Sequence, residues 1–161
     1  MLAAVGLLGW WALTPSTPKI VYLSDLEAEK VQGAEFLKDG QYKRNNAVQR
    51  ITVQGKTAEK GLFTRPPRNS TILVTYRLGK RYKTFKATVA LNDGSSTTEP
   101  VTFSVILDGK PKWTSKGIEH SGVTDRCDID VSGVDKLELS VFSRLSDADS
   151  FPVWIDPQLG R

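Results

Sequence analysis

The sequence predicts an all-β chain, a β-sandwich or jelly roll. Three observations predict it. About seven or eight short runs alternate apolar and polar residues, turn signals separate them, and no stretch has the period of a long amphipathic helix. The clearest run lies in residues 101–115. There Val101, Phe103, Val105 and Leu107 fall at every second position, with Ile106 the one apolar intruder. Alternate side chains of a strand point to opposite faces, so this run has one apolar wall. Asp108-Gly109 supplies positive-φ residues for a tight turn, and the chain returns through Lys110 to Trp113. A central hairpin of this kind needs strands on its flanks and a second layer on its apolar face.

The elements follow in order. Residues 1–13 are apolar and uncharged, shorter than the roughly 20 residues of a membrane span, and lack the basic residues that precede an export signal. Three readings stand: a weak export signal, the end of a membrane anchor, or a strand of the domain. The apolar run and its aromatic end at Trp10 and Trp11 favour export or anchoring. Residues 14–18 form a linker, so 1–18 is a leader or anchor remnant and 19–161 the domain. A first strand over 20–23 leads to a brief helical turn capped by Ser24. Residues 31–46 read as irregular loop, and Ile51 and Val53 as a short strand. Residues 60–70 form a rigid polar loop fixed by Pro66-Pro67. Strands follow at Ile72 to Leu78, Phe85 to Leu91, Cys127 to Val131 and Leu137 to Val141, and the tail from Ser146 is loop. Its apolar Trp154-Ile155 is expected to fold back and close the sandwich, with Pro157 ending the segment.

A length of 161 residues suits one domain with a core of its own. Net charge is +4 and the pI about 9.2, mildly basic, which does not require nucleic acid. The single cysteine, Cys127, excludes an intrachain disulfide and reads as a buried small hydrophobe. Gly55-Lys56-Thr57 ends a phosphate-loop pattern whose first glycine would stand at Arg50, so that motif fails. Asp128 to Gly133 imitates the start of an EF-hand, but Leu139 occupies the bidentate glutamate position. His120 is alone, without a partner for zinc or a triad. Asp147 and Asp149 form a close carboxylate pair beside Ser146 and Ser150, readable as calcium ligands or as a solvated acidic loop. Residues 76–86 mix Arg77, Lys80, Arg81, Lys83 and Lys86 with Tyr76, Tyr82 and Phe85. This is a basic hairpin whose charges protect a strand surface, or a nucleic-acid signature. No residue set makes an enzyme.

The order of short segments resembles a known family. Tyr22-Leu23-Ser24-Asp25-Leu26, Ile51 to Lys56, Lys60-Gly61-Leu62 with Thr64, and Tyr82 to Ala87 carry the resemblance. So do Val101 to Gly109, Val131-Ser132-Gly133 with Leu137 and Leu139, and Trp154-Ile155-Asp156-Pro157. They are similar, over about residues 20–159, to the NPCBM family of carbohydrate-binding modules, which are galactose-binding-like β-sandwiches. The resemblance implies non-catalytic glycan binding, of galactose-type sugars, in a bacterial protein that is secreted or membrane-anchored and extracytoplasmic. Membrane contact would come only through the N-terminal segment. At two positions the chain departs from the family's pattern: Arg65 stands where a histidine is common, and the acidic loop after the Phe-x-Ala strand is reduced to Asn92-Asp93-Gly94. The expected ligand-binding residues are Lys60, Thr64, Arg65, Trp113, Trp154 and Asp156. Calcium at Asp93, Asp147 and Asp149 is a further expectation. Aromatic rings stack on a pyranose while charged groups bond its hydroxyls. The competing expectation is a cell-surface interaction or structural sandwich that has lost sugar binding.

Overall fold

A computed structural model of the protein describes residues 19–33, 35–96, 99–144 and 149–161. Residues 1–18, expected to be a leader or anchor remnant with its linker, and Asp147 lie outside the described residues. The strands are β1 (Ile20–Tyr22), β2 (Lys30–Gln32), β3 (Glu35–Leu37), β4 (Gln41–Arg44), β5 (Ala47–Arg50), β6 (Thr52–Val53), β7 (Lys56–Thr57), β8 (Leu62–Arg65), β9 (Ser70–Arg77), β10 (Thr84–Leu91), β11 (Thr102–Leu107), β12 (Lys110–Thr114), β13 (Thr124–Asp130), β14 (Lys136–Ser143) and β15 (Pro152–Gly160).

Two antiparallel sheets form a sandwich. One runs β13-β10-β15-β8-β3, with β1 also paired to β15; the other runs β12-β11-β14-β9-β2. Their inner faces meet in one core, where Phe85 and Val89 of β10 and Trp154 and Leu159 of β15 face Val74, Phe103, Val105 and Leu139 of the second sheet. The expected strand alternation holds along β10, β11, β13 and β14, because each buries one face against this core.

The Asp108-Gly109 turn forms as expected, with φ of 48° and 79°. The Asp108 carboxylate accepts from the backbone N–H groups of Asp135 and Lys136 at the start of the neighbouring β14, the Lys136 N–H at 2.8 Å from Oδ1. Its hairpin is not central, however: β12 is the edge of its sheet.

The centre of the other sheet is β15, formed by the tail that reads as loop. Pro157 does not end it. The register shifts between Lys86 and Thr88, which face Gln158 and Ile155, so Asp156 and Pro157 sit in a β-bulge opposite Ala87. A bulge leaves one residue out of the ladder, which is where a strand tolerates a proline. Asp156 takes φ 46° there.

Three further expectations are corrected. Residues 31–46 are not irregular: they contain β2, β3 and β4. Residues 60–70 contain β8, whose Leu62, Phe63 and Thr64 are buried. The turn at Leu23–Asp25 is a 3₁₀ helix with no side-chain cap, so Ser24 is not its cap residue.

The excursion from Leu37 to Ala58 builds a second, smaller core on the outer face of the first sheet. Tyr42, Ile51, Val53 and Ala58 cover Phe63, Ala90, Phe151 and Val153. This is why Val89, Ala90 and Leu91 are buried in succession: β10 is covered on both faces at that end. Asn45 and Asn46 turn the β4–β5 hairpin with φ of 49° and 64°, as paired positive-φ positions require.

Candidate functional site

The second core has a charged rim. Arg44, at the end of β4, and Arg65, at the end of β8, each place their guanidinium carbon 5.7 Å from the centroid of the Phe151 ring. Arg44 Nη2 donates to Asp149 Oδ1 at 3.4 Å. Arg65 Nη1 donates to Glu35 Oε2 at 3.4 Å, and its side chain is mostly buried. Phe151 itself is fully buried, and the Tyr42 ring meets it edge-on at 5.1 Å. Stacking on a ring fixes a guanidinium plane at small entropic cost, and its fork of N–H groups suits paired oxygens. The rim therefore offers two oriented cations with two carboxylates beside them. Such a set can both donate and accept hydrogen bonds.

The residues singled out from the sequence are not brought to one place. Arg65 belongs to this rim. Lys60 is turned to Asp25, 2.6 Å from Oδ1, and lies 5.7 Å over the Tyr22 ring. Thr64 is fully buried, and its hydroxyl has no hydrogen-bond partner. Trp154 is also fully buried, edge-on to Phe103 at 5.3 Å, so its ring packs the core and presents no stacking face. Trp113 is half-buried on the edge strand β12, 6.4 Å from Trp154. Asp156 is exposed at the bulge, on the outer face of the β15 sheet. It does not join Arg65.

Of the three expected calcium ligands, Asp147 lies outside the described residues, and the other two are engaged elsewhere. Asp93 spends Oδ1 on Gln54 N–H at 2.9 Å and Oδ2 on Gly55 N–H at 2.8 Å, holding the β6–β7 turn. Asp149 faces a cation, Arg44. Calcium needs six to eight oxygens, and no group of three or more metal-binding side chains gathers among the described residues.

Glu35, Arg44 and Phe151 were missed from sequence because they fall in segments that read as loop. The Asn45-Asn46 pair was the available signal for the hairpin that carries Arg44.

The fold agrees with the comparisons. A family model for the NPCBM/NEW2 domain matches residues 19–160, and the chain belongs to that family. No curated protein matches the chain in sequence. Among solved structures, a CBM51 module from Clostridium perfringens GH95, in complex with methyl-galactose, is similar at 22% identity and TM-score 0.65 over 88% of this chain and 99% of that one. CBM51-2 of Clostridium perfringens ZmpB, seen with GlcNAc, is similar at 21% identity and TM-score 0.67, over 89% of this chain and 32% of that one. The tandem CBM51 modules of a Streptococcus pneumoniae family 98 glycoside hydrolase are similar at 22% identity and TM-score 0.65, over 88% and 46%. These likenesses establish a galactose-binding-like carbohydrate-binding-module fold.

Proposed function

We propose that the protein is a non-catalytic carbohydrate-binding module that takes a galactose-type or amino-sugar residue at the Arg44–Arg65 rim, outside the cytoplasm. The observation that carries this reading is the pair of guanidinium groups seated on one buried ring, each beside a carboxylate. Family membership supports it, as do the sugars named in the structures of similar modules. Arg44 and Arg65 donate to adjacent sugar hydroxyls, while Glu35 and Asp149 orient them and accept in turn. A glycan array identifies the sugar, and titration of the best hit follows. Arg44→Ala and Arg65→Ala should each weaken binding by about 1–3 kcal/mol, the scale of a hydrogen bond to a charged group. An array without a neutral or amino-sugar hit would contradict the reading and favour an interaction sandwich.

A further inference from the structure

The outer face of the β15 sheet is covered only at one end. Past the β6–β7 hairpin the covering layer stops, and a groove opens along β10, β13 and β15. It consists of three joined depressions. The first, about 380 Å³, lies between the hairpin and the β15 bulge. It shares Thr88, Ile155 and Asp156 with the second, about 270 Å³. The second shares Lys86 and Gln158 with the third, about 320 Å³. Joined end to end, they approach the upper end of the roughly 300–1,000 Å³ typical of a ligand site, but as an elongated groove.

The groove walls are fixed. Asp93 clamps the β6–β7 turn, and Gln54 Nε2 donates to Gly122 O at 3.0 Å, tying the hairpin to the loop before β13. Register sets the floor. Lys86 stands between Asp128 and Gln158, and Thr88 between Arg126 and Ile155. Cations recur along the length: Lys56 in the first depression, Arg126 and Lys86 in the second, Lys83 with Lys86 in the third. Lys86 has a carboxylate only at 3.9 Å, from Asp128. Arg126 makes no side-chain ion pair among the described residues, unlike Arg44, Arg65 and Arg77. Between the cations lie hydroxyls and amides, Thr57, Thr88, Thr124 and Gln158, and one lining carboxylate, Asp156.

We infer that this groove is a second binding site, for a linear acidic polysaccharide. A row of cations at intervals pairs the carboxylate or sulfate groups of successive sugar units, and the threonines, Gln158 and Asp156 bond ring hydroxyls. A nucleic acid shares the negative charge but not the rest. Single strands are held by aromatic platforms on which bases stack, and no aromatic residue lines the groove. The Asp156 carboxylate at its centre accepts from sugar hydroxyls. The groove lies past the β6–β7 hairpin on the same sheet face and shares no lining residue with the Arg44–Arg65 rim, so it stands whether or not the rim binds a neutral sugar.

The test is calorimetric titration of the full chain with polygalacturonate, dextran sulfate, neutral dextran and oligodeoxythymidine, at two salt concentrations. Polygalacturonate or dextran sulfate should bind, and which of them binds better identifies the acid group; neutral dextran should not. Arg126→Gln with Lys86→Gln, and separately Lys56→Gln, should weaken polyanion binding, the double variant about tenfold. All should keep the wild-type melt. Lys110→Gln with Lys112→Gln removes the same charge from the other sheet and should leave binding unchanged, as should Arg44→Ala. Equal loss in that charge-matched variant would show general attraction and overturn the inference. Equal affinity for oligodeoxythymidine, or no polyanion binding, would also overturn it.

Discussion

Trp154→Ala separates a core ring from a sugar platform. Trp154 is fully exposed to its neighbours and not at all to solvent, with Phe103 edge-on at 5.3 Å and Trp113 tilted at 6.4 Å. A buried tryptophan removes about 150–250 Å² from water, or about 4–6 kcal/mol at about 25 cal/mol per Å² as an upper bound. The edge-on pair adds about 0.5–1.5 kcal/mol. Against this, Nε1 is buried without a partner, which costs about 1–3 kcal/mol that the substitution relieves. The net loss is about 3–5 kcal/mol, the usual range for a core tryptophan. In a domain of this size that lowers Tm by about 10–15 °C. Trp154→Phe keeps much of the packing and removes the unpaired donor, so it should lose less than half as much. Thermal melts by circular dichroism and urea titrations with constant m-value measure both. A Trp154→Ala protein that melts like wild type but no longer binds glycan would refute the core assignment.

Three other outcomes are expected. Thr64→Val removes a buried hydroxyl without a partner and should keep or raise Tm by a few degrees without changing glycan affinity; a loss above about 1 kcal/mol would contradict its burial. Burial pushes the Cys127 thiol up to about 12, so iodoacetamide at pH 8 should label only the denatured protein, as mass spectrometry would show. The backbone N–H of Lys136 holds the Asp108 carboxyl below its usual range. A depressed carboxyl contributes stability above its unfolded pKa of about 3.9 and loses it as pH falls through the folded value. Asp108→Asn should therefore melt lower than wild type at pH 6, with the gap narrowing towards pH 3.

Strands that bury one face against the main core were legible because the pleat writes that burial as alternation. Val101 to Leu107 and Phe85 to Leu91 show it. β8 and β15 were not legible, because each is buried on both faces at one end. Leu62-Phe63-Thr64 and Phe151 to Trp154 therefore lose the period, and Pro157 reads as a breaker where it occupies a bulge. The β4–β5 hairpin was hidden because β5 is exposed throughout and carries no apolar wall. The same causes decided the site. Arg65 could be found through the family's Lys-Gly segment, whereas Arg44 and Phe151 come from the hairpin and from the tail. Trp154 belongs to an apolar motif whose burial only the second sheet reveals.

The central claim is that a sugar binds at the Arg44–Arg65 rim. Two-dimensional amide NMR of the labelled protein, titrated with methyl-galactoside and with GlcNAc, tests it most directly. Shifts should saturate and cluster at Glu35, Arg44, Arg65 and Phe151, with the amides of Lys86 and Arg126 unmoved. Saturable shifts confined to the surroundings of Trp113 or to the β10–β13 face, or no shifts with either sugar, would contradict it.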